Sequence, residues 1–146
     1  IRIGYMDDLL QMAKNGKRIF IATNCIQELK KLVHEFRILD IPVTTNYEKK
    51  YNGAQIVVGM SEGHYIDVDF DCIFGYFTFK TTHLNCLDAL RKCKSDIIYL
   101  NFSHEKVPII TTKYEDDVFG KLLQHNEKFI NDSTKNLIKN VIAALH

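Results

Sequence analysis

The sequence predicts an α/β domain built on a central parallel sheet. Short β-rich runs alternate with segments of helical periodicity. The runs are almost continuously apolar, not polar at every second residue, as in strands buried on both faces. Strand–helix–strand order then favours parallel strands joined by right-handed crossovers.

The elements can be read in order. Five strands are expected at Ile19–Thr23, Ile41–Thr45, Gln55–Met60, Cys72–Phe79 and Ile97–Phe102. A first helix, Met6–Lys17, sets Leu9, Leu10 and Ala13 on one face and ends at Gly16, a C-cap glycine. A second, Ile26–Leu39, puts Ile26, Leu29, Leu32, Val33 and Phe36 at helical spacing, with Asn24 as its N-cap. A third, His83–Lys94, aligns Leu84, Leu87 and Leu90. The last third reads as extra C-terminal helices, Lys113–Gln124 and Asp132–His146. Asp132 or Ser133 caps the second of them, and Leu137, Ile138, Val141, Ile142 and Leu145 form its stripe.

At 146 residues the chain fits one domain, since domains typically run about 100–150 residues. Apolar content of 46% and charged content of 25% are those of a globular protein. A net charge of +1 gives no whole-chain field that selects for nucleic acid or membrane. No apolar run approaches the ~20 residues that span a bilayer, and no secretory signal is visible. Cys25, Cys72, Cys86 and Cys93 lack zinc-like spacing and sit in or beside apolar runs, which predicts buried free thiols in a reducing compartment. The chain begins at Ile1, and it is expected to be part of something larger.

Several apparent motifs carry ordinary explanations. Tyr5-Met6-Asp7-Asp8 spells the Tyr-x-Asp-Asp signature of reverse transcriptases, but a helical pattern follows it. A polymerase would need a strand there, so Asp7 and Asp8 are expected in a first helical turn, where the dipole favours carboxylates. Gly16-Lys17 is no phosphate loop, because it follows a helix and precedes a strand. The six histidines include no H-E-x-x-H pair, and no metal site is expected. The basic clusters Glu48–Tyr51 and Arg91–Lys94 suit phosphate contact or plain solvation.

Ile56–Phe77 is the most informative stretch. A strand runs into Ser61-Glu62-Gly63, then Asp67, then Asp69-Phe70-Asp71, then a second strand. Gly63 permits close backbone approach, Ser61 can face a phosphate and Asp67 can reach a ribose hydroxyl. The same pattern also suits a loop whose acidic residues are simply solvated.

The succession GKRIFIATN, IPVTTN, SEGHYID, DFDCIFGYF, a helix with Arg91, and IIYLNF resembles the second RecA-like domain of superfamily 2 helicases. The likeness extends to the origin-binding-protein helicases of herpesviruses and other large DNA viruses, over roughly residues 8 to 112. It implies a RecA-like three-layer fold over 1–112 and a helical extension over 113–146 that packs on it or leads to a further domain. Thr23, Asn24, Ser61 and His64 would then touch the DNA backbone. Glu62, Gly63 and Asp67 would bind nucleotide, and Arg91 would be the catalytic arginine finger. Ser61, Gly63, Asp67, Phe70, Asp71, Phe74 and Tyr76 match, in order, a motif that contacts nucleotide and nucleic acid. ATP and Mg²⁺ would come mainly through a first RecA-like domain of the same parent chain, since this chain has no phosphate loop and no Asp-Glu-x-x box. It is not expected to hydrolyse ATP alone. DNA and replication proteins would be partners, no membrane would be involved, and the setting would be the cytoplasm or nucleus of a virus-infected cell.

One departure stands out. The family's Gln-x-x-Gly-Arg-x-x-Arg helix is here only NCLDALRKCK, with Arg91 and two lysines. Lysine is a point charge and cannot replace a planar fork. The alternative expectation is therefore a degenerate RecA-like module that serves as a scaffold or docking unit in a replication complex. An unrelated flavodoxin-like or receiver-like module is a third possibility. A receiver needs acidic residues after its first strand, where this chain has Thr23-Asn24.

Overall fold

The computed structural model describes residues 9–77, 81–102, 110–111 and 132–145. Tyr5–Asp8, the expected helix Lys113–Gln124 and the 112/113 domain boundary lie outside the described residues.

The predicted α/β class is what the chain adopts. Among the described residues, six strands form one sheet: β1 (Ile19–Thr23), β2 (Val43–Thr45), β3 (Ile56–Gly59), β4 (Cys72–Phe77), β5 (Ile98–Phe102) and β6 (Ile110–Thr111). Their order is β2-β3-β1-β4-β5-β6. The first five run parallel, and β6 adds an antiparallel edge that the sequence did not signal. Every residue of β1, β3 and β4 is buried, which is why these runs carry no polar alternation.

Helices cover both faces. Helix α1 (residues 9–14) and α2 (Ile26–Ile38) close one side, where Leu9, Ala13, Leu29, Leu32 and Phe36 meet Ile19, Ile21, Val58 and Phe74. Helices α3 (His83–Leu90) and α4 (Asp132–Leu145) close the other, where Cys86, Leu87, Leu90 and Val141 meet Phe20, Val57, Ile73 and Leu100. Gly16 ends α1 as expected. Its φ is 81°, its N–H donates to the Ala13 carbonyl and the Lys17 N–H reaches back to Met12, a Schellman closure.

Four details differ from expectation. The N-cap of α2 is Cys25, not Asn24, and no side chain caps it. Leu84 is 60% exposed and Ile26 44%. Both stand in the first turn of a helix, at the rim of the sheet, where a correct helical phase no longer guarantees cover. α3 ends at Leu90, not Lys94, which leaves Arg91 as its C-cap. The connections β2–β3 (46–55) and β3–β4 (60–71) contain no helix. Tyr51, Ile66 and Phe70 cover the sheet there instead.

Cys72, Cys86 and Cys93 are buried and Cys25 is half-buried. Burial pushes the Cys72 thiol up to about 12 and the Cys86 thiol up to about 11, and it also raises Cys93. The thiolate is the reactive form. Ellman's reagent added to the native protein should therefore label Cys25 first and reach the other three only on unfolding. Fast release of more than one thiol under native conditions would contradict this packing.

Candidate functional site

In a doubly wound sheet, ligands bind beyond the carboxyl ends of the strands, where successive connections leave in opposite directions. Here that place lies between β1, which leads into α2 on one face, and β4, which leads towards α3 on the other. The expected residues Thr23, Asn24, Ser61, Glu62, Gly63 and His64 all fall at or beside this carboxyl edge. They do not all face outward.

Thr23 ends β1 with no exposed surface, and its hydroxyl accepts a 3.4 Å bond from the Cys25 N–H. It shapes the turn into α2 and offers no atom to an outside backbone. Asn24 is half-buried.

The centre of this edge is a residue the sequence did not mark, Asn46. It follows β2 and is fully buried. Its amide donates to the Met60 carbonyl at 2.9 Å, and its oxygen accepts the Met60 N–H at 3.1 Å. Its own carbonyl takes the His64 N–H. The side chain thus imitates a strand partner and fixes the turn after β3. Gly63 exists for this clamp: a Cβ there would stand 2.1 Å from the Asn46 Oδ1. The close approach expected of Gly63 is to Asn46, not to a nucleotide.

Tyr47, on the turn after β2, forms a small polar group with Ser61 and Glu62 of the turn after β3. The Tyr47 hydroxyl donates to Glu62 Oε1 at 2.8 Å and the Ser61 hydroxyl to Oε2 at 3.0 Å. The Tyr47 bond holds the Glu62 carboxyl below its usual range. Partial burial and the adjacent carboxylate push the Tyr47 phenol from 10.0 up to about 12. Ser61 and Glu62 are therefore engaged with one another, and His64 is the exposed neighbour.

Asp67 and Arg91 lie at the opposite edge. Four extended residues span ~13 Å, and the stretch after Gly63 uses that length to descend along the sheet. The Ile66 N–H donates to the Lys92 carbonyl at 2.8 Å and the Phe70 N–H to the Lys94 carbonyl at 3.0 Å. Asp67 pairs with Lys94 at 3.5 Å, both exposed. Arg91 caps the C-terminal end of α3, and its Nη2 donates to the Ala144 carbonyl in the last turn of α4 at 3.0 Å. Gly63 and Arg91 therefore do not share a nucleotide site within this chain.

The aromatic motif residues belong to the core. Phe70, Phe74 and Tyr76 are buried, Phe70 edge-on to Phe20 at 5.8 Å and Phe74 stacked on Tyr99 at 5.1 Å. The Asp71 carboxylate accepts the Arg18 N–H at 2.8 Å, while the Asp71 N–H donates to the Arg18 carbonyl at 2.9 Å. The Arg18 guanidinium donates to the Tyr51 hydroxyl and lies 5.6 Å and 6.0 Å from the Tyr51 and Phe70 ring centres. Among the described residues, no group of three or more His, Cys, Asp or Glu could hold a metal ion, and no helix is long and apolar enough to cross a membrane.

No family model, curated protein or solved structure matches this chain.

Truncating Asn46 to Ala strands the buried Met60 polar groups, at a cost of about 1–3 kcal/mol. Gly63→Ala should also destabilise, by forcing Asn46 aside. The double variant should lose less than the sum, because a methyl at 63 fits once Asn46 is shortened. Additive losses in urea denaturation would refute the clamp.

Tyr47 supplies a spectroscopic check. A phenol whose folded pKa is raised stabilises the fold below its unfolded pKa of 10.0, and that stability is lost as pH rises towards about 12. Phenolate absorbance should show Tyr47 still protonated at pH 11. If Tyr47→Phe removes a transition near 10, the bond to Glu62 is absent in solution.

Proposed function

We propose that this chain is a RecA-like module that docks within a replication assembly, not the half that completes an ATPase motor. The reading rests on Arg91. The one arginine in the position expected of a finger is bonded to the α4 terminus at the amino edge. The residues expected to meet nucleotide and DNA, Glu62, Gly63, Ser61 and His64, sit around Asn46 at the other edge. A finger contributes only if it reaches the transferring phosphate. An arginine that closes a helix terminus favours a structural module. Replication proteins are the proposed partners.

The motor reading keeps one observation in its favour. His64, Glu62 and Ser61 stand at the carboxyl edge of a doubly wound sheet, the customary ligand side. Under that reading Asn24, Ser61 and His64 contact single-stranded or origin DNA. A first RecA-like domain then brings ATP and Mg²⁺ to this edge.

Arginine substitution in the full parent chain separates the two. A finger is worth ~10³–10⁵ in turnover. Docking predicts that Arg91→Ala leaves DNA-stimulated ATP hydrolysis unchanged, or that the parent has none, while the thermal midpoint falls as α4 loosens. A collapse of turnover with an unchanged midpoint would restore the motor.

A further inference from the structure

The amino edge of the sheet holds a cavity of about 750 Å³ between the 64–71 crossover, the end of α3 and the start of β5. That lies within the ~300–1,000 Å³ of small-molecule sites. Its floor is apolar: Phe70, Ile73, Leu90 and Ile98. Tyr65 lines it with 48% of its surface exposed, which is high for an aromatic side chain. Two cations, Arg91 and Lys94, and two carboxylates, Asp69 and Asp96, share the lining with Cys93 and Ser95.

We propose that this cavity is a ligand site for an aromatic anion, a planar ring that carries N–H or O–H donors and one phosphate or carboxylate. The ring has the apolar floor beneath it and Tyr65 to stack on. The anion belongs with Lys94 and Arg91. The present partner of Lys94, Asp67, is exposed and 3.5 Å away, a pair worth about 0–1 kcal/mol, so an incoming anion displaces it readily. Arg91 spends Nη2 on Ala144, and its guanidinium carries further donors. Asp69 and Asp96 are acceptors suited to ring donors. With the negative end of the α3 dipole, they keep the anion at the cationic rim. Phosphate and carboxylate share this chemistry. The site does not depend on the docking reading, because it needs neither a partner protein nor the carboxyl edge.

The test is amide chemical-shift titration of the intact chain with two probes, adenosine monophosphate and indole-3-acetate. Saturable shifts at Tyr65 and Cys93–Asp96, with a dissociation constant below about 1 mM, are expected for at least one probe, and the tighter one identifies the anion. Lys94→Ala and Tyr65→Ala alter exposed side chains and should each weaken binding by about tenfold. Arg91→Ala should do the same, but it also loosens α4, so the other two variants decide. No saturable shift with either probe up to roughly 5 mM would overturn the site. Binding that both surface variants leave unchanged would do so as well.

Discussion

Strands with no polar face can exist only between two apolar layers, and the rest of this fold follows from that constraint. In β1, Ile19 and Ile21 point to the α1–α2 side while Phe20 and Ala22 point to the α3–α4 side. β3 divides the same way, with Ile56 and Val58 against Val57. Leaving either face wet would forfeit about 1.5–3 kcal/mol for each large side chain exposed. Two crossovers lack helices, so their loops cover the sheet with Tyr51, Ile66 and Phe70.

A loop that covers a core inherits a polar problem, because its backbone amides are turned away from water. The chain meets this with partners distant in sequence. Asn46 takes both polar groups of Met60 and, through its carbonyl, the amide of His64. The turn after α3 takes Ile66 and Phe70 through the carbonyls of Lys92 and Lys94. Arg18 and Asp71 exchange bonds at the foot of β1 and β4. Residue types that in a sequence suggest ligand contact, a glycine after a strand or an acid before one, are here occupied by the protein's own backbone.

The legible parts of the sequence were those governed by local pattern. Ile19–Thr23 was read to the residue because polar residues bound it on both sides: Arg18 precedes it and Asn24 follows. Gly16 was legible because its φ is a local necessity. Leu84 misled because periodicity reports helical phase and not how far the sheet extends beneath the first turn. Asn46 was invisible because its partner Met60 is 14 residues away, and nothing around TTN announces a buried amide. Gly63 and Asp67 looked like one site because they are close in sequence, yet an extended chain carries them to opposite edges. Arg91 falls just past the end of its helix, which stops at Leu90 and not at Lys94, and Ala144, its partner, lies far along the chain.

The central position of β1 also governs how the chain can fold. Both of its neighbours, β3 and β4, come later in the sequence, and the Arg18–Asp71 exchange closes a separation of 53 residues. Local helices cannot hold an unpaired apolar strand, so β1 has no stable place until β4 exists. Such long-range parallel pairing is slow to nucleate, because loop-closure entropy is lost before the contacts form. On a ribosome, β1 would wait through the synthesis of α2, β2, β3 and the loops that join them. Until then its apolar faces are an exposed sticky segment, and the fold closes late and all at once.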